Sequence, residues 1–211
     1  MTRFCLFAAV LSFAASAWAG VEEDVVHLRH EWEHVKYEVS ASAQAAGFEK
    51  LAQASQRVTA QYPRSAEAAI WHGIIEASHA GAKGGISALS LAKSARKSLE
   101  LALSIDPAAL DGSAYTSLGS LYYQVPGWPI GFGDDRKALE LLQKGLSLNP
   151  GGIDPNYFYG DYLFRAGDYA GAEQALRKAL QAQPREGRRV ADEGRRREIN
   201  ALLEKIGQKR R

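Results

Sequence analysis

The stretch Asn156–Pro184, NYFYGDYLFRAGDYAGAEQALRKALQAQP, decides the fold. It reads as two short helices joined by a tight turn at Gly167-Asp168. Tyr159-Gly160-x2-Leu163 sets a small residue beside large ones, one helical turn apart. Ala172-x3-Leu176-x2-Ala179 places a small-large-small row on one face of the second helix, and Pro184 stops that helix. Small residues so placed let two antiparallel helices approach closely, while the large ones fill the space beside them.

Working outward from this unit, the same row recurs. Ala95-x3-Leu99-x2-Ala102 precedes Pro107, and Ala138-x3-Leu142-x2-Gly145 precedes Pro150. The alanine-to-proline interval is twelve residues in all three units, and Leu51 to Pro63 keeps it. Each row follows a helix that carries a glycine among large residues, at Gly73, Gly119 and Gly160. The pattern is close to the tetratricopeptide repeat, whose units stack into a superhelix. We therefore expect an all-α, tetratricopeptide-like helical-repeat superhelix of about four antiparallel helix pairs with a C-terminal capping helix.

The glycine-to-alanine interval varies from twelve (Gly160 to Ala172) to nineteen (Gly119 to Ala138) and twenty-two (Gly73 to Ala95). Two insertions are expected between paired helices, His79 to Ser90 and Gln124 to Asp134. In a solenoid they emerge along one edge.

Three domain segments follow. Met1 to Ala19 has the form of an export signal: Arg3, an apolar run from Phe4 to Ala15, and Ala17-Trp18-Ala19 as a small-x-small cleavage site. The run is short for a bilayer span, and Cys5 lies before most of it rather than after, which argues against lipidation. Gly20 to about Arg185 is the repeat domain. Its first pair is degenerate, with a long helix from Val21 to about Ala46 and a stripe of Val25, Leu28, Trp32, Val35 and Val39. Gly47 is expected to break it before a second helix from Phe48 to Tyr62. Glu186 to Arg211 is a basic cap in which Ile199, Leu202, Leu203 and Ile206 form one apolar face.

Hydrophobic residues make up 46% of the 211 and charged residues 24%, so the chain can bury a core. The net charge of +2 points to no polyanion. Its distribution is uneven: Gly20 to Lys50 holds seven acids and three bases, and Arg185 to Arg211 holds ten bases and five acids. With Cys5 as the only cysteine, a chain starting at Gly20 has no disulfide, thiolate metal site or cysteine nucleophile.

His30-Glu31-Trp32-Glu33-His34 matches the zinc-protease pattern H-E-x-x-H. By helical angle His27, His30 and His34 lie opposite the apolar stripe, so we read them as a solvated face. The glycine-rich runs at Gly81 to Gly85 and Gly127 to Gly133 lack the lysine and hydroxyl ending of a phosphate loop. No catalytic residue, metal ligand or cofactor is assigned. The chain reads as a non-enzymatic binding scaffold.

Its candidate contact residues are of two kinds. The insertion VPGWPIGFGD, Val125 to Asp134, carries Trp128 and Phe132, which either plug the groove or face a partner; Asp134 is placed to cap the following helix. The first helix of each pair lines the concave face. Residues there that packing does not use are Thr116, Ser120, Tyr123, Tyr157, Asp161, Phe164 and Arg165. We expect Trp128 and Phe132 to border a partner or ligand cleft, with Tyr122, Tyr123, Tyr157, Asp161 and Arg165 beside them.

Ser117-Leu118-Gly119-x-Leu121-Tyr122, followed by Pro126-Gly127, Gly133-Asp134 and Lys137-Ala138, resembles the T-component family of TRAP transporters over roughly Ala69 to Pro184. The resemblance implies a periplasmic repeat protein that associates with a solute-binding protein of an uptake system for organic acids or other hydrophobic ligands. The expected partner is such a protein, or a small organic ligand. Nucleic acid and stable membrane insertion are not expected, and a homo-oligomer is compatible. The alternative is a periplasmic chaperone or envelope-assembly adaptor.

Overall fold

The computed structural model describes residues 7–210, with side-chain surroundings from Gly20 onward. Among the described residues there are nine helices in chain order: α1 Phe7–Tyr37, α2 Ala41–Gln61, α3 Ala66–Lys83, α4 Ser87–Ile105, α5 Ala109–Gln124, α6 Asp135–Leu148, α7 Ile153–Arg165, α8 Tyr169–Leu180 and α9 Arg189–Lys209. The expected leader, Met1 to Ala19, lies outside the residues whose side chains are described. No described helix is long and apolar enough to cross a membrane.

Four antiparallel pairs, α1/α2 through α7/α8, stack in order and α9 closes the series. The fold is an all-α helical repeat. The spacing read from the sequence is the packing rule. A Cβ on Gly73 would sit 2.6 Å from Leu99 Cγ, one on Gly119 2.7 Å from Leu142 Cγ, and one on Gly160 2.8 Å from Leu176 Cγ. Each glycine thus admits the leucine of its partner helix at a distance no side chain allows. Ala95, Ala138 and Ala172 are fully buried beside them. Local chemistry sets the ends of several helices. Ser65, Asp134 and Asp168 each accept a hydrogen bond from a backbone N–H of the first turn, of Ala68, Lys137 and Gly171 respectively.

Two expectations are corrected. The first turn lies at 38–40 and not at Gly47, which sits inside α2. Gly47 marks a close approach: a Cβ there would meet Val35 Cγ1 at 2.9 Å. The His79 to Ser90 insertion is not a loop. It is absorbed into longer helices, with only 84–86 between α3 and α4, and His79 and Ala80 are buried. Alanine-rich sequence extends a helix more readily than it forms a loop.

The cap is as expected: Ile199, Leu202 and Ile206 are buried against Ile153, Ala172, Leu176 and Ala179. Its other half was not foreseen. The start of α9 reaches back to α1, and Ala191 is buried in the same cluster as Val25, Leu28, Trp32 and Trp71. Since α1, α3, α5, α7 and α9 touch in sequence and α9 touches α1, the first helices form a closed ring.

Candidate functional site

The Gln124–Asp134 insertion is a real loop, and it is built rather than loose. Gly133 N–H donates to Pro126 O (2.9 Å), Gly131 N–H to Gly127 O (3.0 Å) and Asp134 N–H to Tyr122 O (2.9 Å). A Cβ on Gly133 would lie 1.9 Å from Val125 O, so only glycine allows this crossing of the backbone.

The loop separates the residues expected to act together. Phe132 folds inward, its ring edge-on to Tyr122 at 5.4 Å and its centre 4.5 Å from the Arg96 guanidinium. Tyr122 is only 4% exposed and serves the core, which removes it from a contact surface. Phe132 is the plug. Trp128 is the reverse: it is 90% exposed, and Ile130 is 69% exposed beside it. Two prolines and the internal hydrogen bonds fix the shape of the tip, with Trp128 facing solvent.

Tyr123, Asp161 and Arg165 do come together. Tyr123 at the end of α5 donates through its hydroxyl to Asp161 Oδ2 on α7 (2.8 Å). Arg165, one turn beyond, donates to the same oxygen (3.2 Å), and its guanidinium lies 5.2 Å from the Tyr123 ring centre. Tyr162 adds an edge-on contact to Tyr123 at 5.8 Å. Burial and the Asp161 carboxylate push the Tyr123 hydroxyl well above its ordinary range, so it stays a donor. The result is a half-buried aromatic and charged strip across two adjacent helices. Thr116 and Ser120 do not join it. Both are buried, with Thr116 Oγ1 against Gly145 of α6 and Ser120 donating to Ser117 O. Phe164 belongs to the cap core, against Tyr169.

Tyr157 lies in a different cluster, one that sequence reasoning missed. Arg195 of α9 is buried with its guanidinium 4.2 Å from the Tyr157 ring centre and 4.8 Å from that of Phe158. It donates to Asp154 Oδ1 (2.8 Å) and Glu198 Oε2 (2.6 Å). Arg185 donates to the other Asp154 oxygen (2.7 Å) and to Asp192 (2.7 Å). Burial alone would raise the Asp154 carboxyl; Arg195 and Arg185 outweigh it and hold it well below the usual carboxylate range. Burial pushes the Tyr157 hydroxyl up to about 12, against the pull of Arg195. From α1, Glu33 accepts from Arg188, and Tyr37 donates to Glu198 (3.3 Å). Arg188 and Arg195 belong to the basic cap and Arg185 immediately precedes it. All three are ion-pair partners: Arg185 and Arg195 join α9 to α7 through Asp154, and of the three only Arg188 reaches α1, at Glu33. The only signal in the sequence was the opposite charge of the two ends of the chain.

His27, His30 and His34 point to solvent, as their helical angle implies. His30 and His34 border an open depression of about 360 Å³ between α1 and α9, shared with Glu33, Glu38, Gly187, Arg189 and Val190. Among the described residues, no group of three or more histidine, cysteine, aspartate or glutamate side chains is placed to hold a metal ion.

Comparison with known families places one match. A family model described as tetratricopeptide repeat matches residues 130–206, the span from the α5–α6 loop into α9. A crystal structure of MamA is 20% identical, covers 78% of this chain and 90% of its own, and superposes with a TM-score of 0.45. A structure from a functional characterization of Pseudomonas aeruginosa pilF is 15% identical, covers 90% of this chain and 91% of its own, with a TM-score of 0.37. No curated protein matches the chain.

Proposed function

We propose that the protein is a non-enzymatic, exported helical-repeat scaffold that captures a protein partner on the α5–α7 strip of Tyr123, Asp161 and Arg165. The Gln124–Asp134 loop forms the adjoining wall. One observation carries this reading: an aromatic ring, a carboxylate and a half-exposed guanidinium are preassembled across two repeats, with Tyr123 resting on the core beneath and Arg165 reaching solvent. Such a strip offers stacking area and charge together, the composition of protein contact sites. Its open form suits a polypeptide segment better than a small molecule.

Within that reading, the resemblance to TRAP T-components and the leader-like Met1 to Ala19 point to a periplasmic accessory that engages a solute-binding protein. Asp161→Ala and Arg165→Glu variants, displayed with the wild-type chain to a periplasmic extract, test it. The wild type is expected to retain a solute-binding protein and both variants to lose it, with unchanged helix content. Retention of outer-membrane precursors would favour the envelope-assembly role, and equal capture by all three chains would place the contact elsewhere. N-terminal sequencing of the native protein tests export: the chain is expected to start near Gly20, and an intact Met1 would refute it.

A further inference from the structure

The outward face of the loop has a different character from the strip. Helix pairs in this stack turn at alternate edges, so the α3–α4 turn and the α5–α6 loop share one edge. They also adjoin: Gly131 of the loop lies close to Leu89 in the first turn of α4, with an added Cβ only 3.3 Å from Leu89 Cδ1. At this shared tip Ile86 is 95% exposed, Trp128 90% and Ile130 69%, the most exposed large apolar residues among those described. Two exposed cations flank these turns, Lys83 at the end of α3 and Arg136 in the first turn of α6, while the Lys137 ammonium is drawn to the Tyr122 ring, 4.5 Å from its centre. Two acids are present, Asp134 and Asp135, and the Asp134 carboxylate is occupied by the Lys137 N–H. The α7–α8 turn and the end of α9 with Lys209 follow along the same edge.

We propose that this edge is a membrane-contact surface, which rests on the bilayer interface by inserting Ile86, Trp128 and Ile130 among the headgroups of anionic lipids. The shape favours lipid over protein. The three side chains project from turns at 69–95% exposure, so a protein partner would need a pocket for each. A bilayer interface takes protruding side chains of any outline, and it favours tryptophan at headgroup depth. The surrounding lysine and arginine add attraction to anionic headgroups. With three apolar side chains and few excess cations, the contact is reversible and shallow, distinct from a spanning or covalently anchored segment.

The test uses the protein as its host makes it, with phosphatidylcholine vesicles that contain or lack phosphatidylglycerol, some carrying brominated acyl chains. Sedimentation should show binding that strengthens several-fold with phosphatidylglycerol. The brominated lipid should quench an emission component that is missing in Trp128→Phe, which separates Trp128 from the other tryptophans. Combined Ile86→Ser, Trp128→Ser and Ile130→Ser should weaken vesicle binding by about tenfold or more while leaving thermal unfolding unchanged. Equal quenching in wild type and Trp128→Phe would overturn the proposal. So would unaltered vesicle binding by the triple variant, or loss in that variant of a protein partner or of self-association with vesicle binding intact.

Discussion

Arg188 at the start of α9 donates to the carboxylate of Glu33 on α1, across 155 positions of sequence. Both side chains are largely buried, at 14% and 5% exposure. Arg188 also lies over the Trp71 ring of α3, 5.4 Å from its centre. One arginine therefore ties the first, second and last members of the inner ring.

A buried pair of this kind resists the loss of either partner, because the survivor is left charged and unsolvated. Glu33→Ala is expected to cost about 3–5 kcal/mol in urea unfolding. Glu33→Leu combined with Arg188→Met should recover most of that loss. If the single change costs no more than a surface substitution, the ring is open in solution.

The repeat register makes a sharper claim. Ala172 is fully buried in the cluster of Ile153, Leu176 and Ile199, and its carbonyl lies against Gly160 of α7. Ala172→Leu should destabilise by about 1–3 kcal/mol through overpacking, measured by denaturant titration. The exposed Gln174→Leu should change stability by less than about 0.5 kcal/mol. Equal effects at the two positions would place the packing face elsewhere.

Phe132 and Trp128 sit four residues apart in one loop and should behave oppositely. Phe132→Ala removes the ring that contacts both Tyr122 and Arg96 and is expected to cost about 2 kcal/mol, below the full burial value because the residue is half-buried. Trp128→Ala should leave the melting temperature within a degree or so of wild type. A larger loss at Trp128 than at Phe132 would contradict the orientation of the loop.

His72 supplies a pH dependence. Ser55 Oγ donates to Ala52 O (2.9 Å), so it accepts from His72 Nδ1–H at 2.8 Å, which suits the neutral ring. Burial lowers the His72 pKa from its ordinary value. The unfolded chain thus takes up a proton near pH 6.5 that the folded chain takes up only at lower pH. Stability should be full above about pH 6.5 and fall as the pH drops below it, until the folded ring also protonates. His72→Gln should flatten this decline in thermal melts recorded from neutral to mildly acidic pH. An identical slope in wild type and variant would show that other groups govern it.

Much of the fold was legible because its rules are local. The twelve-residue alanine-to-proline interval fixes where each second helix packs; α4 and α6 stop two residues before their proline as expected, while α8 ends earlier, at Leu180, and not at Pro184. Gly47 misled for the opposite reason. A glycine in a helix can mark a break or a close approach, and Val35, the residue that decides between them, is on another helix. His79 to Ser90 misled similarly, since helix extension and loop insertion lengthen an interval equally.

The candidate site was legible only in part. Tyr123, Asp161 and Arg165 were named as groove residues, and they meet because adjacent repeats stack in register. Tyr122 and Tyr123 are chain neighbours on one helix, and which of them faces the core depends on the angle at which α6 and the loop return. Trp128 and Phe132 are equally apolar, and only the backbone crossing at Gly133 sends one in and the other out.

By itself, the sequence determined the helical period, the repeat length, the small residues at each helix crossing and the apolar face of the cap, all set by contacts within one unit. The tertiary structure alone decided that the superhelix turns far enough for α9 to meet α1. Small rotations between successive pairs accumulate over the stack. Only their sum brings Arg188 to Glu33 and Glu198 to Tyr37 instead of to water.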